Sequence, residues 1–214
     1  MPVKRRYRSE ARAAGARSTR ASISAAARRL FVAGGYASTS IDAIAREAGV
    51  AVQTVYAVFG NKRAILASLL EVLDDQAGLE ALGKALGHPS PARQAAGVAR
   101  FMTRLFSRGG DVIAVARGAS ASEPALRELA AEGLVRHQRG TRRVATGWGN
   151  RGALRAGLST ADAAAILSAL ASYEVFQQLR ASGWTLRRYE AWLTDTIVAL
   201  LLRASTERER PARP

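Results

Sequence analysis

Two short apolar runs joined by a single glycine constrain the fold of this chain more than any other feature. Within "STSIDAIAREAGVAVQTVYAVF", residues 38–59, the first run places apolar side chains at helical spacing, at Ile41, Ile44, Ala45 and Ala48. Gly49 ends that helix, and after a tight turn a further short helix is predicted from about Val52 to Val58. Two helices joined so closely form a helix-turn-helix.

The residues before this pair predict another helix that packs on it. Residues 17–33 carry an apolar stripe and stop at Gly34-Gly35, where glycine tolerates the left-handed conformation that often follows a helix. Thr39, with Asp42 three residues on, is predicted to cap the next helix as a capping box. The chain therefore begins with a three-helix domain.

Polar side chains are expected on the outer face of the short helix that follows Gly49. Val55 and Phe59 are four residues apart and are predicted to pack inward, which leaves Gln53, Thr54 and Tyr56 outside. These residues would enter a DNA major groove. The alternative is an ordinary solvated helix face.

Positive charge next to this domain favours the interpretation as a DNA contact. The formal net charge is +15, and residues 1–30 hold nine Lys or Arg against one Glu. A charge balance this basic favours binding partners that are polyanions, such as nucleic acid. Residues Lys4 to Arg20 have too few apolar side chains to fold alone, and residues 1–16 are predicted to form a flexible basic arm. Arg17 and Arg20, which follow the arm, are predicted DNA contacts.

The start of the next helix adds a further cation. Asn61 is predicted to cap that helix, and Lys62 at its positive N-terminal end is predicted to contact a phosphate.

Residues 35–71, "GYASTSIDAIAREAGVAVQTVYAVFGNKRAILASLLE", resemble the DNA-binding domain of the TetR family of bacterial repressors. The resemblance rests on Gly35-Tyr36, Thr39, Ile44-Ala45, Ala48-Gly49-Val50, Tyr56, Phe59 and Lys62. It implies that Thr39, Ser40 and Lys62 contact phosphate. It also implies that Gln53, Thr54 and Tyr56 lie against bases and backbone. Val58 departs from the His or Tyr common in the family and cannot donate a hydrogen bond.

The rest of the chain is predicted to be helical, so the fold class is all-α. The expected domains are the arm, a helix-turn-helix domain at 17–62, a helical ligand-binding and dimerisation domain at 63–205, and a flexible tail at 206–214. The helices expected after the first domain are 61–83, one starting at Ser90-Pro91, 123–148, one capped at Ser159 and ending at Ala181, and 185–203. Gly109-Gly110 is expected to form a turn between helices.

The resemblance also implies a homodimer and a small-molecule effector. Candidate pocket residues are Phe101, Met102, Leu105, Phe106, Ile113, Trp148, Leu167 and Tyr173. Candidate interface residues are Phe176, Trp192, Leu193, Ile197 and Leu200. Aromatic and aliphatic residues of this kind also form ordinary cores. A mostly apolar pocket without clustered acids favours a largely apolar effector, uncharged or weakly anionic.

Catalysis, cofactors and membrane insertion receive no support from the sequence. The two histidines, His88 and His137, lie far apart, and the chain has no cysteine with which to form a disulfide or a thiolate metal site. No apolar run approaches the roughly 20 residues needed to span a bilayer. The expectation is a cytoplasmic protein without enzymatic activity, cofactor or metal, although the Arg- and Ala-rich start is also compatible with a transit peptide.

Three functional hypotheses therefore stay open. The favoured one is a ligand-responsive repressor that binds an inverted-repeat operator as a homodimer. The second is a constitutive basic DNA-organising protein, which does not need a large apolar C-terminal domain. The third is a helical enzyme, which would need an acid-base or metal constellation.

Overall fold

The computed structural model describes residues 3–121 and 123–203, with side chains described from residue 13 onward except at 125. The predicted tail at 206–214 lies outside these residues. Within them the chain is helical and forms no strand, apart from one antiparallel bridge between Leu154 and Leu202. The all-α prediction is confirmed.

The chain divides into two compact units. The first unit runs to Leu73 and also includes Gly109–Ala131, and the second includes Asp74–Arg108 and the chain from Glu132 onward. The first unit includes α4, Lys62–Glu71, which packs on the preceding helices and buries Ile65 and Leu66.

Three helices precede α4. Their bounds are α1 at Val3–Gly34, α2 at Ile41–Ala48 and α3 at Val52–Phe59. Helix α1 packs on α2 and α4 through a buried face formed by Ile23, Ala26, Ala27 and Phe31. Helix α1 already begins at Val3, whereas residues 1–16 were expected to form a flexible arm. This segment is rich in Ala and Arg, which are good helix formers.

The single helix expected at 61–83 is broken into three pieces. After α4 come α5, Leu73–Ala77, and α6, Leu79–Leu86. Gly78, between the two short helices, has φ 90° in the left-handed region, which interrupts the helical backbone. The sequence carried no proline there to indicate the break.

Helix α7, Pro91–Ala119, passes without interruption through Gly109-Gly110, so the turn expected at this pair is wrong. A Cβ at Gly109 would lie 2.5 Å from Leu73 Cδ2. The glycine is therefore a packing position, where the missing side chain lets Leu73 approach the helix backbone.

The remaining helices follow their predicted capping residues closely. They are α8 at Pro124–Asn150, α9 at Thr160–Leu170, α10 at Tyr173–Ala181 and α11 at Leu186–Leu201. Ser159 Oγ accepts a hydrogen bond from Asp162 N at 3.0 Å, and Thr185 Oγ1 accepts one from Arg188 N at 3.1 Å. Ser172 caps α10 in the same way and divides the helix expected to end at Ala181.

A buried polar group organises one end of the second unit. Gln94 is 1% exposed, and its Oε1 accepts hydrogen bonds from Trp148 Nε1 at 2.8 Å and from Arg151 at 3.0 Å. The amide nitrogen of Gln94 donates to the carbonyl oxygen of His88. Because each polar group in this set has a partner, the network stabilises the fold at modest cost.

Aromatic rings fill another part of the second unit. Phe176 contacts Phe106 and Tyr189, with ring centroids 5.3 Å and 5.0 Å away, and Trp192 lies 6.0 Å from Tyr189. Tyr189 is fully buried, and its hydroxyl has no hydrogen-bond partner among the described residues. Burial raises the pKa of the Tyr189 phenol well above its ordinary value, so the group stays neutral.

Replacement of Tyr189 by Phe is expected to stabilise the protein. An unsatisfied buried hydroxyl carries a desolvation cost of about 1–3 kcal/mol, which Tyr189→Phe removes while keeping the ring. Tyr173→Phe is the matched control, because the Tyr173 hydroxyl accepts a 2.6 Å hydrogen bond from Gln177 and its loss should destabilise. Thermal unfolding of both variants measures the difference, and a lower midpoint for Tyr189→Phe would contradict the prediction.

Candidate nucleic-acid interface

The turn between α2 and α3 depends on one glycine. Gly49 has φ 68° and ψ 33°, and its N–H donates to carbonyl oxygens of the last turn of α2. Val50 N also donates to Ala45 O at 3.0 Å, which completes the cap. A side chain at Gly49 would be strained in this conformation, so the glycine fixes the direction in which α3 leaves α2.

Helix α2 is capped by Ser40 and not by Thr39, so the predicted capping box of Thr39 and Asp42 is wrong. Ser40 Oγ accepts a hydrogen bond from Ala43 N at 3.1 Å. Thr39 is 6% exposed, and its hydroxyl donates to Gly35 O at 2.8 Å. Thr39 therefore holds the preceding turn, whereas Ser40 is exposed at the helix start.

Helix α3 presents the predicted polar face. Val55 and Phe59 are buried, whereas Gln53 is exposed, Thr54 is half-buried and Tyr56 is 52% exposed. A tyrosine this exposed beside two polar side chains gives the outer face of α3 both stacking surface and hydrogen-bonding groups.

The first turn of α4 contains a cap and an engaged cation. Asn61 Oδ1 accepts a hydrogen bond from Ala64 N at 2.8 Å, as predicted. Lys62 Nζ donates to Tyr36 O at 2.8 Å and to Thr39 O at 2.9 Å, and Ala37 O is 3.4 Å away. The ammonium group also lies 4.3 Å from the centroid of the Tyr36 ring.

Two arginines of α1 lie on the same unit. The Arg20 guanidinium lies 4.3 Å from the Phe59 ring centroid and donates to Val58 O at 3.2 Å, so it packs on the end of α3. Arg17, one turn earlier, is exposed. The side chain of Val58 cannot donate a hydrogen bond, but its backbone oxygen accepts the one from Arg20.

The phenol of Tyr36, whose ring lies against the Lys62 ammonium group, stays neutral. Burial is the main reason that the pKa of its phenol is raised, and Glu123 raises it further while Arg63 acts in the opposite direction. Its ring packs on Phe31 with centroids 5.3 Å apart, which ties the turn after α1 to the core of the first unit.

Ion pairs that the sequence did not reveal brace α1. Arg28 makes two hydrogen bonds, of 2.9 and 2.8 Å, to the carboxylate of Asp111 on α7. Arg29 pairs with Glu47 of α2 at 2.8 Å. Asp111 is 83 positions from Arg28, so no local pattern could have identified this contact.

Most candidate pocket residues are buried in the second unit. Buried side chains are those of Phe101, Met102, Phe106, Trp148, Leu167 and Tyr173. Leu105 is half-buried, and Ile113 is half-buried in the first unit. Trp148 is 0% exposed and its indole N–H is already bonded to Gln94, so it serves as core.

The candidate interface residues separate into two groups. Phe176, Leu193 and Ile197 are buried within the single chain, in which α11 packs on α9 and α10. Within one chain these three side chains form part of the core of the second unit. Trp192 is half-buried, and Leu200 is 46% exposed and available to a partner.

The two histidines are half-buried. His88 Nδ1 accepts a hydrogen bond from Ser90 N at 2.9 Å, and His137 Nε2 lies 3.1 Å from Ser168 O. Over the described part of the chain, no three His, Asp or Glu side chains form a metal-binding group. Within that same part, every helix is too short or too polar to cross a membrane.

Comparison with known proteins identifies the N-terminal segment. Residues 23–69 match the family model of the bacterial regulatory proteins of the tetR family. This segment belongs to the TetR family. The match includes the end of α1, all of α2 and α3, and most of α4, so the predicted resemblance is confirmed. TetR-family regulators are DNA-binding proteins and not enzymes, in agreement with the sequence expectation.

Solved structures share the fold along most of the chain. A complex of SmeT with triclosan superposes with a TM-score of 0.73 at 22% identity, covering 87% of this chain and 93% of that one. NalD, the secondary repressor of the MexAB-OprM multidrug efflux pump in Pseudomonas aeruginosa, has a TM-score of 0.68 at 23% identity, with coverage of 86% and 96%.

A protein from Saccharomonospora viridis in complex with choline has a TM-score of 0.68 at 21% identity, covering 86% of this chain and 98% of that one. At these identities the likeness establishes the fold alone. No curated protein matches the chain in sequence. The chain therefore combines a TetR-type DNA-binding domain with a TetR-like helical C-terminal region.

Proposed function

We propose that this TetR-type transcriptional regulator is a repressor that binds an inverted-repeat operator as a homodimer and releases it when a small, largely apolar molecule binds. The observation that carries the proposal is the outer face of α3, where exposed Gln53 and Tyr56 and half-buried Thr54 follow a turn fixed by Gly49. Side chains with amide, hydroxyl and aromatic groups can read base edges in a major groove.

Charge supports DNA as the partner of this face. Arg17 and Arg46 are exposed on α1 and α2, and the N-cap of α2, Ser40, is also exposed. Phosphate contacts by such groups position a recognition helix, and base contacts by α3 specify the sequence. Arg46 was not predicted as a DNA contact from the sequence. Because it is exposed on α2, we add it to the candidate phosphate contacts.

Dimerisation is part of the proposal because each chain has one recognition helix. A two-fold axis would place two α3 helices about 34–36 Å apart, one turn of the duplex, to read two half-sites. Trp192 and Leu200 on α11 leave apolar surface accessible on the single chain. We assign this surface to the partner subunit.

The effector would bind in the second unit. Its buried side chains are mainly apolar and aromatic, as in sites for small organic molecules. SmeT with triclosan and the Saccharomonospora viridis protein with choline show the fold holding small molecules. If the effector binds more tightly, by about 2.7 kcal/mol, to a state in which the two α3 helices are misaligned, the affinity of the dimer for DNA would fall about 100-fold.

A constitutive DNA-organising protein remains the second candidate, favoured by the net charge of +15. Sequence-specific binding distinguishes it from a repressor. Thermal-shift screening of a small-molecule library, followed by tests of operator release, distinguishes a ligand-responsive protein from a constitutive one. Stabilising compounds that never loosen DNA would contradict the effector proposal.

Selection from a random duplex pool is expected to enrich an inverted repeat, and two substitutions on α3 should then have different effects. Gln53→Ala should relax base preference at one position per half-site by about 1–3 kcal/mol, if the amide makes a bidentate contact. Tyr56→Ala should weaken binding more evenly. Competition binding with singly substituted duplexes measures both effects.

Leu134→Ala is the control for Tyr56→Ala, since Leu134 is 53% exposed and lies on α8 in the second unit. It should bind as the parent does. An enriched duplex that both α3 variants bind with parental affinity would show that α3 is not the recognition helix. Failure to enrich any sequence would favour the constitutive protein.

A further inference from the structure

The partners of Lys62 are those of a structural cation. An ammonium group has three N–H donors, and here three backbone carbonyl oxygens lie within 3.4 Å of Nζ. The side chain is also half-buried, with its ammonium group over the face of the Tyr36 ring. A contact with phosphate would have to compete with these hydrogen bonds.

The three carbonyl oxygens belong to the turn that leads into α2. This turn, residues 36–39, is tied down by the buried Tyr36 ring and by the Thr39 hydroxyl bond to Gly35 O. Ser40 follows at once as the N-cap of α2. Lys62 is the first residue of α4, directly after α3 and its cap, so one side chain joins the entry and the exit of the helix-turn-helix.

We propose that Lys62 is a positioning residue of the DNA interface, whose ammonium group holds the 36–39 turn and thereby the orientation of α2 and α3. The inference rests on the proposed DNA-binding function and replaces the phosphate contact expected for this residue. Hydrogen bonds from a charged donor are short and strong, and three converging carbonyls suit a compact ammonium better than a planar guanidinium.

The test compares Lys62→Met and Lys62→Arg in operator binding over a range of salt concentrations, at a temperature where both variants are folded. Both should raise the dissociation constant by about tenfold or more, because methionine has no donor and the fixed planar fork of arginine does not fit three converging carbonyls as an ammonium group does. The salt dependence should keep the parental slope. Amide resonances of residues 36–43 should shift in both variants, with or without DNA.

Lys84→Met is the charge-matched control. Lys84 lies on α6 in the second unit, is largely exposed and pairs with Glu80, so its loss should leave the dissociation constant unchanged. Comparison with this variant distinguishes the effect of a lower net charge from the effect of losing the hydrogen bonds of Lys62.

A direct phosphate contact predicts a different pattern. Lys62→Met would then reduce the salt slope by about 0.9, and Lys62→Arg would bind like the parent, since arginine also binds phosphate. Either result overturns the inference, as do unchanged amide resonances at residues 36–43. If the parent protein enriches no duplex, the proposed function fails instead, and the amide resonances still decide whether Lys62 holds the turn.

Discussion

Leu193→Glu is expected to unfold the second unit instead of converting dimers cleanly into monomers. Leu193 is 0% exposed within one chain and lies between Tyr189 and Ile197, which are also 0% exposed. A buried carboxylate without a partner costs about 3–5 kcal/mol, a large share of the roughly 5–15 kcal/mol that stabilises a domain. Circular dichroism should show a much lower midpoint or no cooperative transition.

Leu200→Glu is the matched control on the same helix. Leu200 is 46% exposed, so the carboxylate can stay hydrated and the chain should keep its fold. Placed in the proposed interface, the charge should shift the dimer toward monomers in light scattering. A dimer as tight as the parent's would move the interface away from this face of α11. A Leu193→Glu variant as stable as the parent would contradict the core position of Leu193.

The parts of the fold that the sequence predicted are those governed by local chemistry. Val55 and Phe59 were expected inside α3 and Tyr56 outside, because helical periodicity alone separates the two faces. Asn61, Ser159 and Thr185 cap the helices expected of them. A capping residue acts within three residues of itself, so its pattern is visible in the sequence.

Features that depend on distant partners could not be predicted in the same way. The sequence predicted a phosphate contact for Lys62 but could not reveal its carbonyl partners, because the oxygens of residues 36–39 come near the ammonium group only after folding. Gly109-Gly110 looked like a turn because the approach of Leu73 is invisible in the sequence. Leu193 and Leu200 belong to one apolar stripe, and only packing on α9 and α10 assigns Leu193 to the core.

Gly97→Ala is expected to destabilise the second unit, although alanine is the better helix former. A Cβ at Gly97 of α7 would lie 2.4 Å from Ala85 Cβ of α6. Both atoms are attached to backbone and cannot rotate away, so the two helices must separate. Overpacking of this kind costs about 1–3 kcal/mol, more than the roughly 0.5–1 kcal/mol that Gly to Ala gains in a helix.

Gly140→Ala isolates the packing effect, since the chemical change is the same in a different environment. Gly140 is exposed on α8, and an added Cβ would meet nothing within 4 Å. This variant should therefore gain about 0.5–1 kcal/mol from helix propensity. Urea unfolding should shift the two midpoints in opposite directions. If both midpoints rise, the close approach of α6 and α7 at Gly97 is not a constraint, because propensity alone would then explain both results.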